Sequence, residues 1–317
     1  MRCKKVLITG AGSIGEELLN QLLAYKDTVY TIRVFDNSEI KLHNLRMKHR
    51  DEPRVELFLG DVRDKDAVKK AVNGCDIIFN TAAYKHVSFC EENPIEAVKT
   101  NIFGLQNIIN ASSGETVKKI INISTDKAAN PISVMGATKL ITERLIENAN
   151  RRTDDMVFIN VRFGNVIASN GSVVEVFREQ IKRKRNLTVT DPEMTRFIMS
   201  IKDAVRFILH ASEICKGGEV FILKMPSIKL IDLVEAISGN KTNIDIIGRS
   251  KIEKVHEVLI TEEEMDQAYE GQGMIVIPPK EHIEYYRRLG FKKLENIVPS
   301  SDKATMLTVD EIKKLLE

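Results

Sequence analysis

The chain has 317 residues, 43% apolar and 29% charged, with a formal net charge of +2. That balance fits a soluble globular protein with one large core or two coupled domains, and it gives no reason to expect nucleic acid or an anionic membrane as a partner, so any anion site must be local. No apolar run reaches the ~18 residues of a membrane span, and the N-terminus enters a strand without a signal-peptide core. The cysteines Cys3, Cys75, Cys90 and Cys215 are scattered without CxxC spacing, which reads as reduced thiols in a cytoplasmic protein rather than a metal site.

The β-branched run 4–9 predicts a buried strand. Gly10-Ala11-Gly12-Ser13-Ile14-Gly15 follows and leads into the helical spacing of Leu18, Leu19, Leu22 and Leu23. In a GxGxxG the glycines let the backbone turn tightly and approach a pyrophosphate, and the helix N-terminus offers free N–H groups to it. Gly10, Gly12, Ser13, Ile14 and Gly15 are therefore expected on a dinucleotide. A second strand, 29–35, ends at Asp36, 21 residues beyond Gly15. A carboxylate there suits an adenosine ribose 2′-OH, which favours NAD over NADP; Asn37 and Ser38 extend the same edge. Arg33 points towards NADP by its charge but lies within the strand.

Strand 55–59 is closed by Gly60-Asp61-Val62. Asp61 suits either an adenine amino group or the N-cap of a helix at 64–72, and Val62 adjoins it on the cofactor edge. Strand 75–80 ends in Thr81-Ala82-Ala83, where small residues let a cofactor lie across the strand end. Strands at 118–124 and 156–163, with helices at 38–49, 92–113 and 134–151, complete the alternation. The pattern predicts an α/β fold with a doubly wound parallel Rossmann sheet, whose ligands bind beyond the carboxyl ends of the strands.

Beyond the fifth strand, Asp126 and Lys127 put an acid and a base in adjacent positions, near where a nicotinamide would lie. A lysine base must be neutral when it acts, so its pKa would have to be lowered by burial or neighbouring charge. A solvated Thr-Asp-Lys turn is the competing reading. Lys139 lies four residues after Met135 on one helix face, suited to the nicotinamide ribose hydroxyls. Met135 cannot take a proton, so an alcohol proton must go to Asp126, or through Thr125 and water.

The stretches Thr81-Ala82-Ala83-Tyr84-Lys85-His86-Val87, Glu91-Glu92-Asn93-Pro94-Ile95-Glu96-Ala97-Val98-Lys99-Thr100-Asn101, Ser124-Thr125-Asp126-Lys127-Ala128 and Met135-Gly136-Ala137-Thr138-Lys139 resemble the nucleotide-sugar 4,6-dehydratases of surface-polysaccharide biosynthesis. These are extended short-chain dehydrogenases that act on UDP-N-acetylglucosamine. The resemblance continues through Val161-Arg162-Phe163-Gly164-Asn165-Val166, Gly171-Ser172-Val173-Val174 and Thr190-Asp191-Pro192-Glu193-Met194-Thr195-Arg196-Phe197, and covers roughly residues 4–260. Some members carry tyrosine where Met135 stands; others carry methionine. Many methionine members have an N-terminal membrane region, and this chain resembles the short soluble type.

The resemblance implies a tightly held NAD that takes hydride from C4 of the sugar and returns it to C6 after water leaves C5 and C6. It implies Asp126 as acid for the C6 hydroxyl, Lys127 as base for the C5 proton and Thr125 as a hydrogen-bond partner of the C4 oxygen. It further implies sugar or phosphate contacts by Lys85 and Asn165, a cofactor contact by Val166 and a homo-oligomer, with the helices at 92–113 and 134–151 as a dimer face. Two departures stand out. The usual TGxxGxxG is one residue shorter here, and RPGEKxHE appears as Arg249-Ser250-Lys251-Ile252-Glu253-Lys254-Val255-His256-Glu257. With Ile252 in place of the glycine, Arg249 is expected to keep its role more firmly than Glu253. A nucleotide-sugar epimerase, a 5,6-dehydratase and a non-catalytic NAD-binding sensor are the alternatives.

After Asn165 the pattern changes, with a helix at 173–184 and a strand at 187–190, while 201–212 and 219–223 read as a helix and strand returning to the sheet. The expected division is residues 1–165 plus about 196–223 as the NAD-binding domain, and about 166–195 plus 224–317 as a smaller, discontinuous nucleotide-sugar domain. A UDP diphosphate needs cations, and Arg196 and Arg249 are the candidates, since arginine suits bidentate phosphate contact. The basic run Lys182-Arg183-Lys184-Arg185 reads as a solvated helix end complementing the helix dipole, and His86 as structural.

Overall fold

The computed structural model describes residues 5–25, 31–167, 169, 171–239, 243–295 and 300–316. Three βα units open the chain: β1 (Lys5–Thr9), α1 (Ser13–Leu22), β2 (Thr31–Asp36), α2 (Glu39–Lys48), β3 (Val55–Leu59) and α3 (Lys65–Val72). The expected strand starts at 4 and 29, and Cys3, lie outside the described residues. α1 buries Gly15, Leu18, Leu19 and Leu22, the one-sided spacing that seats an amphipathic helix on a sheet. The N-cap of α3 is Asp64, whose carboxylate accepts from the Asp66 and Ala67 N–H groups. This corrects the N-cap reading of Asp61, which stands three residues too early to reach those donors.

β4 (Ile77–Asn80) is followed by α4 (Val87–Glu92). The expected helix over 92–113 is segmented into α5 (Pro94–Ala97), a π-helical stretch at Val98–Phe103 and α6 (Gly104–Ser112). Next come β5 (Lys119–Thr125), α7 (Val134–Asn150), β6 (Val157–Phe163), β7 (Asn165–Val166), α8 (Val173–Lys182), β8 (Leu187–Val189), β9 (Thr195–Met199), α9 (Ile201–Ile214) and β10 (Val220–Leu223). The remainder holds β11 (Ser227–Lys229), α10 (Leu230–Ser238), β12 (Ile244–Ile246), α11 (Glu262–Met265), β13 (Tyr269–Gly271), β14 (Met274–Ile277), α12 (Ile283–Arg288), β15 (Lys292–Lys293) and α13 (Val309–Leu316).

The large sheet has ten strands in the order β15-β13-β14-β10-β6-β5-β4-β1-β2-β3. The run from β10 to β3 is parallel throughout, and helices cover it as a doubly wound fold requires. β14 joins β10 antiparallel, and β13 and β15 extend that edge. The sheet therefore draws in residues 269–293, which the sequence reading gave to the smaller domain. The cause is apolar: Met274, Ile275 and Val276 are buried in the main core.

A second core gathers Val174, Phe177, Leu187, Val189, Ile198, Ile228, Leu233, Val234 and Ile312 around the three-stranded sheet β11-β9-β7 and the pair β8-β12. Between the two cores lie the carboxyl ends of the parallel strands.

A polar ladder crosses the centre of the large sheet. Thr9 Oγ1 donates to Asn80, Asn80 Nδ2 to Asn122, Asn122 Nδ2 to Asn160, and Asn160 Nδ2 to the Glu143 carbonyl of α7, at 2.8, 3.0, 2.9 and 3.1 Å. Asn80, Asn122 and Asn160 are in register across three strands, so each buried amide finds a partner. Beside the ladder Arg162, fully buried, donates to Glu143 at 2.6 Å and to Glu264 at 2.8 Å. Ser124 Oγ donates to the same Glu143 at 2.5 Å. α7 is thereby locked to β5 and β6 immediately beneath the candidate site.

Candidate functional site

The glycine loop separates structural glycines from an open one. Gly10 has φ +90, and a Cβ there would lie 2.9 Å from the Ala82 nitrogen; a Cβ on Gly15 would lie 1.9 Å from the Gly10 carbonyl oxygen. A Cβ on Gly12 would meet nothing within 4 Å. Gly12 is also the N-cap of α1, so the space over this position at the helix start is open, as an anion cradle requires.

Asp36 is buried, and its carboxylate accepts from the Ala11 N–H at 2.6 Å and the Ser38 N–H at 2.7 Å. Those bonds tie the loop to the β2 end, and an ionised carboxylate has further lone pairs for a ligand hydroxyl. Arg33 donates to Glu56 and to the Ala71 carbonyl and lies over the Phe58 ring. It serves the sheet and not a cofactor phosphate. Asp61 is held by Arg63, with Asn37 adding a 3.3 Å bond. Burial pushes its carboxyl up, but the bonds from Arg63 and Asn37 outweigh burial and hold it below the ordinary range. Val62 is buried under Gly104.

A cavity of about 1060 Å³ runs from the glycine loop into the smaller core, roomy against the ~300–1,000 Å³ of ordinary ligand pockets. At the cofactor end its wall includes Gly12, Ser13, Ile14, Gly15, Ala83 and Val166. Further in come Thr125, Lys127, Met135, Lys139, Lys85 and Asn165, and beyond them Arg196 and Glu253. Gly10, Asp36, Asn37, Ser38, Asp61, Val62, Ala82, Asp126 and Arg249 are not on this wall.

Asp126 has no exposed surface. Its Oδ1 accepts from Thr125 Oγ1 and from Lys127 Nζ, both at 2.9 Å, and its Oδ2 is buried with no hydrogen-bond partner. Lys127 Nζ also donates to Asn165 Oδ1 at 3.2 Å and lies 3.4 Å from Glu257 Oε1. The expected depression of the Lys127 pKa is not what its surroundings produce. Burial pulls the amine down, but the carboxylates of Asp126 and Glu257 outweigh burial, and the net direction is upward. Lys127 rests as an ammonium.

Met135 and Lys139 share the buried face of α7. Lys139 Nζ donates to the Ile123 carbonyl at 2.8 Å, and burial, opposed by Glu143 and Cys90, brings its amine down to about 8. Met135 packs with Cys90 and Ala97, so an apolar thioether occupies the position from which a tyrosine hydroxyl would serve Lys139.

Also on the wall, Lys85 Nζ reaches Ser169 Oγ at 3.4 Å, and burial lowers its pKa. Arg196 is anchored by the Thr195 and Val255 carbonyls at 2.7 and 3.0 Å. Glu253 lines the cavity, whereas Arg249 is exposed and is not on its wall. His86 lies on the wall, and its ring is so close to Gly171 (φ +71) that a Cβ there would come 2.3 Å from Cε1.

Several residues escaped the sequence reading. Asn101, in the π-helical stretch, accepts from the Tyr84 N–H at 2.8 Å and donates to Thr138 Oγ1 at 2.9 Å, joining the loop after β4 to α7. Glu91 accepts from the Val134 N–H at 2.6 Å. Lys254 Nζ donates to the Ala129 carbonyl at 2.7 Å, and buried Glu257 gathers Lys127, Arg196 and Lys254. All four lay inside quoted motifs; of them only Asn101 falls at a buried helical position, while Lys254 and Glu257 lie in a loop whose path the sequence does not show.

Residues 6–279 match the family described as polysaccharide biosynthesis protein. A UDP-N-acetylglucosamine 4,6-dehydratase (inverting) of Campylobacter jejuni is 40% identical over 87% of this chain and 83% of its own. A UDP-glucose 4-epimerase of Rickettsia bellii is 37% identical over 99% of this chain and 95% of its own. The X-ray structure of Pen from Bacillus thuringiensis superposes with a TM-score of 0.90 at 39% identity, covering 99% of this chain and 98% of that one. More distant structures, at 20–22% identity and TM-scores of 0.70–0.71, share the fold and were solved with NAD bound. Among the described residues no helix is long and apolar enough to cross a membrane. The chain belongs to the polysaccharide biosynthesis protein family, among the extended short-chain dehydrogenases that act as nucleotide-sugar dehydratases and epimerases.

Proposed function

We propose that the protein is a nucleotide-sugar 4,6-dehydratase that converts UDP-N-acetylglucosamine to a UDP-4-keto-6-deoxy-hexosamine. The observation that carries this reading is the arrangement of Thr125, Asp126 and Lys127: a hydroxyl and an amine on the cavity wall, both bonded to one buried carboxylate. NAD suits the glycine loop, since Gly12, where α1 starts, is open and Asp36 stands behind the loop. When bound, NAD would supply the redox chemistry, as acceptor of the C4 hydride and its donor at C6. Lys139 and Val166 would contact it from the cavity wall, and Asn37, Ser38, Asp61 and Val62 would carry its adenosine end.

The residues move the protons. Thr125 accepts the proton of the C4 hydroxyl and passes its own to Asp126, whose carboxylate is already its acceptor. Neutralising Asp126 removes one of the two carboxylates that keep Lys127 an ammonium, so C4 oxidation prepares the lysine to lose its proton to solvent and act as base. Lys127 then takes the C5 proton, acidified by the adjacent ketone. Asp126 returns its proton through Thr125 to the C6 oxygen, which leaves as water. Lys127 gives a proton back to C5, and both groups regain their resting charge once the lysine takes up a solvent proton. Lys85, Asn165, Arg196 and Glu253 line the end of the cavity that would hold the UDP-sugar; Arg249 would need to move to reach it.

The competing reading is a nucleotide-sugar epimerase, favoured by the relative of that name. Incubation with UDP-N-acetylglucosamine in D2O without added reductant separates the two by NMR. A new C6 methyl signal and deuterium at C5 support dehydration; an intact C6 methylene with altered C4 couplings would replace it with epimerisation. Bound NAD with every UDP- and dTDP-sugar inert would leave a sensor.

Exposed Phe89, Ile95, Phe103 and Ile141 on α4, α5, the π-helical stretch and α7 favour a homo-oligomer through this face. The buried free thiols of Cys75, Cys90 and Cys215 fit work in the reducing cytoplasm.

A further inference from the structure

Glu257 is 3% exposed, and three cations converge on its carboxylate from different parts of the chain. Lys127, beyond β5, stands 3.4 Å from Oε1; Arg196, on β9, stands 3.9 Å from the same oxygen; Lys254, on its own loop, stands 3.8 Å from Oε2. Oε2 is buried and has no hydrogen-bond partner. Ser301 fixes the backbone on both sides, accepting from the Glu257 N–H and donating its own N–H to the Glu257 carbonyl, each at 2.9 Å. A rigid, buried carboxylate with one oxygen on the cavity lysine and the other short of a partner is costly unless the lysine needs it.

Arg196 and Lys254 have other anchors in backbone carbonyls. Lys127 has no such anchor among the described residues: its amine meets Asp126, Asn165 and Glu257. In the proposed reaction Asp126 gives up its charge partway through, which leaves Glu257 as the one carboxylate still facing Lys127.

We infer that Glu257 is a positioning residue: its buried carboxylate clamps the Lys127 amine opposite Asp126 and so sets where that lysine stands. The kinetic part of this inference rests on the dehydratase reading; the geometric part does not. The groups facing Lys127 are Asp126 and Glu257, which favour its charged form, and Arg196 and Lys254, which oppose it.

The test measures Lys127 directly. Full-length protein is acetylated with trace acetic anhydride across a pH series, and the Lys127 peptide is quantified by mass spectrometry, with exposed Lys65 as internal reference. The reagent reacts with the neutral amine, so the midpoint of labelling reports the lysine's charge without any substrate. Glu257→Gln is expected to move the Lys127 midpoint down by ~1 pH unit, the effect of removing one adjacent charge. Glu257→Asp, which withdraws the carboxylate by one methylene, is expected to move it down by less, and it carries the test if the glutamine variant does not fold. An unmoved midpoint in a folded variant overturns the inference.

Turnover is read in parallel. The ascending limb of the pH–rate profile is expected to shift in the same direction, with kcat about tenfold lower and KM unchanged. Proportional loss of kcat with an unmoved pH profile means a structural role and also overturns the inference. A wild type that turns over no nucleotide sugar, with the labelling midpoint shifted in Glu257→Gln, sinks the dehydratase reading and leaves the clamp standing.

Discussion

Lys127 and Asp126 are bonded at 2.9 Å, yet only the lysine reaches the cavity; the carboxylate has no exposed surface. An acid that cannot touch substrate directly must work through its neighbours, and Thr125, also on the wall and also 2.9 Å from the same oxygen, is the available relay.

This division of labour gives the two residues different kinetic signatures. Asp126→Asn removes the acceptor for the C4 proton, so neither reduced nicotinamide nor product should form. Lys127→Met leaves C4 oxidation possible but blocks removal of the C5 proton, so reduced nicotinamide should accumulate in a single turnover. Both are expected to lower turnover ~10²–10⁴-fold. Absorbance of the bound nicotinamide after mixing with UDP-N-acetylglucosamine checks this, and accumulation in Asp126→Asn instead would reverse the roles.

The glycine loop separates binding from folding. Gly12→Val places a side chain where no protein atom lies within 4 Å. It should fold with stability within ~1 kcal/mol of wild type and bind NAD at least ~10-fold more weakly, which is about 1.4 kcal/mol. Gly15→Ala drives a Cβ to 1.9 Å from the Gly10 carbonyl and should cost ~3 kcal/mol of stability. Calorimetric NAD titration and urea denaturation of both variants test the split.

Lys139 makes the apoprotein's stability depend on pH. Its folded pKa, about 8, lies below the ordinary 10.5, because burial disfavours the charged amine. The folded state therefore binds fewer protons than the unfolded state between those values. The penalty is fully present below the folded value and disappears as pH rises through 8 towards 10.5. Lys139→Met should thus be more stable than wild type near pH 7, by at most about 3 kcal/mol at 1.36 per pKa unit and by less once the Ile123 carbonyl loses its partner. Chemical denaturation at several pH values should show the gain shrinking at alkaline pH; a constant difference would mean that charge is not its origin.

Arg162 tests the platform beneath the site. It is fully buried between Glu143 and Glu264, and Arg162→Met leaves two carboxylates without their cation. A loss of ~3–5 kcal/mol is expected. Glu264 ordinarily sits below its usual pKa, since the Arg162 bonds outweigh its burial. Without Arg162 burial prevails, and the variant should recover part of its stability in acid, where the carboxylates are protonated. Unfolding curves at neutral and mildly acidic pH read both effects.

Much of the first half was legible because its signals are local. Strand, glycine turn and helix follow one another within the first 22 residues, and backbone sterics give the same GxGxxG geometry in any sheet of this kind. Thr125, Asp126 and Lys127 are chain neighbours, and Met135 and Lys139 are one helical turn apart, so their proximity was also local. What tertiary structure alone decided lies where distant segments meet. The carboxylate that clamps Lys127 comes from residue 257, and the partners of Arg162 come from two helices far apart in the chain. β14 completes the large sheet from a stretch whose sequence reads as part of another domain. The choice of Asp64 over Asp61 as helix cap, and of Glu253 over Arg249 on the cavity wall, turns on the path of the loops. The charge of Lys127 could not be read from its neighbour in the chain alone, because a pKa answers to every charge within a few ångströms, and only the folded chain brings Glu257 that close.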